Sequence, residues 1–278
     1  MSEAFASVVL ALADDELVLG HRHSEWTGWA PHIEEDVAFS SIAQDEIGHA
    51  GNLYTLIARR TETDADALAL GRAKAHYRHA TLCERPNRDW AYTLARHWMY
   101  DTADDVRLEA LQGTADPELA ALVTKMRREE RYHLLHADAW LRRVSQGPVE
   151  GRTRLIEALH ETFADAVGLF EPLEHEEMAV KEGWLPVPSD ELRTRFMARA
   201  SAALDELGLP TDIHTRVAEQ AEFVASSSGD LIADDEPAAE GVTPDATAGG
   251  SAGRHTGDFD QLWDDMTFTY RNHPGATW

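Results

Sequence analysis

Apolar residues recur three and four positions apart along nearly the whole chain, the rhythm of helices with one face turned to a core. No stretch shows sustained two-residue alternation bounded by turn residues, so strands are not expected. The pattern predicts a helix over 3–24, broken at Trp26-Thr27-Gly28-Trp29-Ala30-Pro31, and a second over about 31–60. A shorter helix is predicted over 64–79. A third long helix starts near Arg88-Asp89 and ends near Gln112-Gly113, with glycine in the usual stop position. Asp116-Pro117 opens a fourth, with Asp as N-cap and Pro in the first turn. It ends before Gly147-Pro148, and further helices are expected over 149–170, 189–207 and 212–225. Residues 226–253 are poor in large apolar side chains and rich in Gly, Ala, Ser, Pro and acid, the composition of a flexible linker. The pattern resumes at Arg254 and closes on Trp263, Phe268, Tyr270 and Trp278. The expected organisation is a helical bundle over 1–225, a linker over 226–253 and a segment over 254–278 that docks on its own surface or a partner's.

Certain polar residues keep the apolar rhythm instead of breaking it. The second helix reads Phe39, Ile42, Glu46, His49, Leu53, Leu56, and the fourth reads Leu119, Val123, Met126, Glu130, His133, Ala137, Trp140. Both Glu-x-x-His pairs therefore point inward. An inward acid lies one helix earlier in each case: Glu16 among Val9, Leu12 and Leu19, and Asp101 among Leu94, Trp98 and Leu108. Glu46 and His49 recur 84 residues on as Glu130 and His133, and Glu16 recurs 85 on as Asp101. This is an approximate repeat of two helical hairpins. With 26 Glu and 14 His in 278 residues, about one such spacing is expected by chance. A third, Glu157 to His160, has Arg127 and Arg128 in place of the upstream acid and reads as incidental.

A buried carboxylate is costly unless it is paired, hydrogen-bonded or metal-bound. One acid on each of two helices, and Glu-x-x-His on each of two others, is the ligand pattern of ferritin-like dimetal bundles. Four carboxylates balance two divalent ions, and carboxylate with imidazole suits iron, or manganese, better than thiolate-seeking metals. The expected fold is all-α, a ferritin-like four-helix core with additional C-terminal helices. The expected metal ligands are Glu16, Glu46, His49, Asp101, Glu130 and His133. His136 and Asp105 are assigned supporting or structural roles, and His21, His23, His76, His79 and His97 show no comparable arrangement.

Composition narrows the function. The chain carries 25 Lys plus Arg against 50 Asp plus Glu, a formal charge of −25. An acidic surface repels phosphate backbones, which argues against general nucleic-acid binding. No apolar run approaches the ~20 residues of a membrane span, and no signal-peptide pattern opens the chain. Cys83 is the only cysteine, so no internal disulfide can form, as suits a reducing cytoplasm. Only three cations are lysines. That balance suits a salt-rich cytoplasm, and equally a high-GC genome with an acidic partner-binding face.

Four stretches resemble a known family: ADDELVLGHRHSEWTGWAPHIEEDVAFSSIAQDEIGHAGNLY, WMYDTADDVRLEAL, EERYHLLHADAWLRRV and the closing GRHTGDFDQLWDDMTFTYRNHPGATW. They are similar to the C subunits of bacterial phenylacetyl-CoA ring-epoxidases over most of 1–225 and 254–278. The resemblance implies a complex that epoxidises the ring of phenylacetyl-CoA with dioxygen. Its electrons come from NADPH through a separate reductase subunit. It implies a catalytic A-type subunit, which carries the di-iron site, as partner. C subunits are usually structural, having lost metal ligands. Here Glu16, Glu46, His49, Asp101, Glu130 and His133 match the A-type ligand positions, with Glu46 and Glu130 as the catalytic, bridging pair. Two readings follow: an oxygenase component with its own two irons, or a scaffold that retains the ligand set. A free-standing ferritin-like oxidase is a third, against which the C-terminal stretch speaks.

Overall fold

A computed structural model describes residues 1–211 and 249–276. The expected helix over 212–225 and most of the expected linker lie outside these described residues. Four long helices form the core: α1 (Glu3–Ser24), α2 (Ile33–Thr61), and, after the short α3 (Ala65–Leu70) and α4 (Thr81–Glu84), α5 (Trp90–Leu111) and α6 (Pro117–Ser145). The chain continues through α7 (Val149–Val167), α8 (Glu176–Glu182), α9 (Ser189–Glu206) and α10 (Asp258–Asn272). The fold is all-α, a ferritin-like bundle, with no strand among the described residues.

Local signals set the helix ends. Asp89 accepts from the Tyr92 amide at 2.9 Å, and Asp116 accepts from the Leu119 amide at 2.8 Å with Pro117 in the first turn. Both caps satisfy amides that a helix start leaves without partners. α1 pairs lengthwise with α2, and α5 with α6, while α7 and α9 cover the far side of α5. Gly20 marks the closest approach of the first hairpin: a Cβ there would lie 2.8 Å from Ile47 Cγ1 and 3.2 Å from Glu46 Cβ. The helix predicted over 64–79 shrinks to 65–70. Beyond it one 3-10 turn (Lys74–His76) leads into extended backbone, and Tyr77 is buried with its hydroxyl donating to the Ala69 carbonyl at 2.6 Å.

The C-terminal segment lies on this chain's own bundle. α10 packs against α3 and α4. Trp263 donates its indole N–H to the Arg72 carbonyl at 3.2 Å, beneath the cations of Lys74 and Arg271.

Candidate metal centre

The bundle brings six inward polar residues to one buried level. Glu16 comes from α1, Glu46 and His49 from α2, Asp101 from α5, and Glu130 and His133 from α6. None is more than 3% exposed. Their neighbours in sequence are spoken for. Asp14 accepts from Tyr54 and Arg72, and Asp15 pairs with Arg107, which also holds Asp104. Of the run Asp14-Asp15-Glu16, only Glu16 is left to face the bundle centre.

Glu130 is the hub. One of its oxygens lies 3.2 Å from His49 Nδ1 and the other 3.1 Å from His133 Nδ1. His49 Nδ1 is also 3.2 Å from Glu16 Oε2, and Tyr100 donates to the other Glu16 oxygen at 3.2 Å. The outer nitrogens face outward acids: His49 Nε2 lies 2.8 Å from Glu129, and His133 Nε2 lies 3.2 Å from Asp45. An imidazole with one nitrogen inward and the other on a carboxylate is how proteins orient a metal-binding histidine.

The other two acids meet imidazoles that the Glu-x-x-His spacing does not pick out. His23 Nδ1 lies 3.0 and 2.9 Å from the two oxygens of Glu46. His97 Nδ1 lies 3.2 Å from Asp101 Oδ2, but off hydrogen-bonding geometry. Both oxygens of Asp101 and Oε1 of Glu130 are buried without a hydrogen-bond partner. Three orphaned carboxylate oxygens in one interior demand a reason.

Charge explains what the site holds. Burial pushes Glu46 and Asp101 well above the ordinary carboxylate range, with neighbouring acids adding to it, so both favour the neutral form. Burial and the Glu130 charge raise Glu16 in the same direction. Glu130 behaves oppositely. Burial pushes it up, but His133 and His49 outweigh this and bring it to about 2. Burial opposes the protonated imidazoles too, yet their carboxylates raise His49 to about 11 and His133 to about 12. These shifts favour one carboxylate, Glu130, between two imidazolium ions, with Glu46 and Asp101 biased to the neutral form beside them.

These residues fit a hard or borderline divalent cation unequally. The donor atoms of Glu16, His49 and Glu130 all lie within 4.8 Å of one another, a ready half-site. Glu46, Asp101 and His133 face the same interior but do not join that group; Glu46 is hydrogen-bonded to His23 instead.

Comparison with known proteins agrees with this bundle. The family model described as "Phenylacetic acid catabolic protein" matches residues 1–223. The chain is 32% identical over 201 residues to the C subunit of the 1,2-phenylacetyl-CoA epoxidase of Escherichia coli strain K12, covering 72% of this chain and 81% of the relative. The chain belongs to the phenylacetic acid catabolic protein family.

In this family member the remaining polar positions have structural partners. Asp105 faces away from the centre, held by Arg127 at 2.9 Å and by Arg199. His136 reaches Glu35 at 2.8 Å and His97 at 3.3 Å. Glu157 is exposed, so the third Glu-x-x-His spacing directs no acid inward. Gly48 opens on the outer face, where a Cβ would meet nothing within 4 Å, so it gives the centre no extra room.

A second buried cluster joins the C-terminal segment to the bundle. Glu84 Oε2 lies 2.8 Å from His79 Nε2 and 2.9 Å from His255 Nδ1, while Oε1 accepts from the amide and hydroxyl of Thr256 at 2.7 and 2.6 Å. The donor types suit a metal. However, the two rings stack at 4.2 Å with 17° between their planes. An ion is bound in the plane of an imidazole ring, and one ion cannot lie in two separated, nearly parallel planes. The cluster is a hydrogen-bonded clasp.

No helix among the described residues is long and apolar enough to cross a membrane.

Proposed function

We propose that this chain is a subunit of a multicomponent oxygenase that epoxidises the aromatic ring of phenylacetyl-CoA, and that its bundle retains a carboxylate–imidazole site for iron. The name of the Escherichia coli relative supplies the substrate. The observation that supports the site is Glu130 set between two inward imidazole nitrogens whose outer nitrogens rest on Asp45 and Glu129. Glu16, His49 and Glu130 would hold the first ion, and Glu46, Asp101 and His133 the second. Bound iron would supply dioxygen chemistry, with electrons from NADPH arriving through a separate reductase subunit. This chain's own residues have narrower tasks. Glu130 and Glu46 would supply carboxylate oxygens to the ions, Asp45 and Glu129 fix the two imidazoles, and His23 shares a proton with Glu46. The apolar packing around them excludes water, which strengthens each interaction.

One observation favours a second reading within the same complex. His23 already engages both oxygens of Glu46, an arrangement suited to a scaffold whose second half-site has closed. Metal analysis separates the two. Protein from iron-replete cells, purified with its partner subunits, should carry about two iron ions per chain if both half-sites are open. Negligible iron in this chain sinks the oxygenase reading and leaves the scaffold.

A further inference from the structure

The acidic excess is not spread evenly along the chain. Across the whole chain, acids outnumber cations two to one. Along α6, six Lys or Arg stand against four Asp or Glu, a net of two positive charges. The helix sorts them by face. In Arg127-Arg128-Glu129-Glu130-Arg131, Glu130 turns to the metal centre and Glu129 caps His49 from outside. The arginines turn the other way, into a cleft of about 570 Å³ between α5, α6 and α9.

The cleft has an organised floor and two cations at its mouth. Asp105, largely buried, is shared by Arg127 and Arg199, which fixes both guanidinium groups at the cleft wall. Asp138, the other acid lining it, accepts from the Trp98 indole at 2.9 Å. Arg128 and Arg131, one helical turn apart and exposed, make no ion pair among the described residues. With Arg127 and Arg199 they give the cleft four guanidinium groups against the two carboxylates of Asp105 and Asp138. Planar guanidinium forks match phosphate oxygens in pairs. Leu134 and Leu135 add an apolar wall beside them, and the volume falls in the range of small-ligand sites.

We propose that this cleft binds the phosphate groups of a nucleotide-bearing ligand through Arg128 and Arg131. Resting on the epoxidase reading, that ligand is the nucleotide end of the CoA thioester. A protein acid could also meet arginines, but a concave, walled site suits a compact phosphate cluster better than an extended acidic segment.

Calorimetric titration of the full-length chain with CoA tests this directly, in wild type and in Arg128→Ala/Arg131→Ala. Both side chains are exposed, so the double variant keeps the fold, which circular dichroism checks. CoA should bind the wild type, weaken with added salt, and bind the variant at least about tenfold more weakly. Pantetheine, which lacks the phosphates, should not bind, and inorganic phosphate should compete with CoA. Equal CoA affinity in the variant overturns the proposal. So does pantetheine binding as tightly as CoA, tighter binding of a polyglutamate peptide, or absence of CoA binding at low salt. The titration needs neither iron nor partner subunits. Failure of this chain to assemble with an epoxidase would therefore leave a positive result standing, and a negative one would not touch assembly.

Discussion

His23 Nδ1 lies 2.9 Å from Glu46 Oε2, with both side chains wholly buried. Burial pushes the imidazole well below its ordinary range and the carboxyl well above its own, so the pair shares one proton and carries little charge. This interaction competes with metal for Glu46. His23→Ala should raise the affinity of the second half-site for Co²⁺ by about tenfold, because the carboxylate no longer has to leave a partner. The same change should cost about 2 kcal/mol of stability through the cavity and the lost hydrogen bond. Cobalt absorption titrations and urea melts read the two effects. An unchanged metal stoichiometry and affinity would show that His23 does not gate the site.

Asp45 and Glu129 meet the rings of His133 and His49 at their outer nitrogens. They orient the rings without reaching the centre. Asp45→Asn and Glu129→Gln should each weaken metal binding by about 10–100-fold while leaving the bundle folded. Glu46→Ala with His133→Ala should empty the second half-site and lower the metal bound from about two ions to about one per chain, with helicity nearly unchanged by circular dichroism. Unchanged stoichiometry and affinity in that double variant would remove both residues from the ligand set.

Helical rhythm places α1 over 3–24 and α6 from Asp116-Pro117, because caps and apolar faces are local properties. The same rhythm puts six acids and imidazoles on inward faces. It also holds two signals that the Glu-x-x-His spacing does not pick out. His23 lies seven residues after Glu16, and His97 four before Asp101, so each shares its neighbour's face. The inward-face test that selects Glu46 selects them too when applied to lone histidines. The Glu84 clasp is of another kind. Its partners His79 and His255 are 176 residues apart, and no local pattern announces a contact that the tertiary fold alone creates.

Metal uptake should release protons. In the metal-free chain His49 at about 11 and His133 at about 12 keep their protons at neutral pH, and burial favours neutral Glu46 and Asp101. A cation needs all four groups deprotonated. Affinity should therefore fall as pH is lowered, and a weakly buffered titration with an indicator dye should report more than one proton released per ion. Proton-neutral uptake would contradict the charge assignment.

The Glu84 clasp should open in acid. Burial pushes the Glu84 carboxyl up, but His255 and His79 outweigh it and hold the carboxyl far below its usual range, while burial lowers His79. A depressed carboxyl stabilises the fold above its unfolded pKa of about 4.5, and this is lost as pH falls further. His79 acts in the same direction, since the unfolded chain takes up its proton from about pH 6.5 downward while the buried ring resists. Protection of the α10 amides from exchange should thus begin to fall near pH 6 and fall steeply below about pH 4.5. Glu84→Gln should flatten that dependence and cost about 3 kcal/mol at pH 7. Protection of α10 that does not vary over this window would exclude the clasp as its anchor.

Gly20 links packing to the metal centre. A Cβ there would meet Ile47 Cγ1 at 2.8 Å and Glu46 Cβ at 3.2 Å, closer than side chains tolerate. Gly20→Ala must therefore push α1 from α2 at the level of Glu46, or turn Ile47 aside. Alanine favours the helix by about 1 kcal/mol, but overpacking costs about 1–3 kcal/mol, so a net loss of about 1 kcal/mol is expected. Ile47 is partly exposed at 36%, so its side chain can be removed at little cost. Gly20→Ala with Ile47→Ala should recover stability if Ile47 is the obstacle, and the double-mutant cycle should show a coupling of about 1 kcal/mol. If the strain instead falls on Glu46, the pair will regain little stability, and metal affinity will drop in both variants carrying Ala at position 20. Urea melts and cobalt titrations of the four proteins decide between them, and additive effects on both would place Gly20 outside the tight contact.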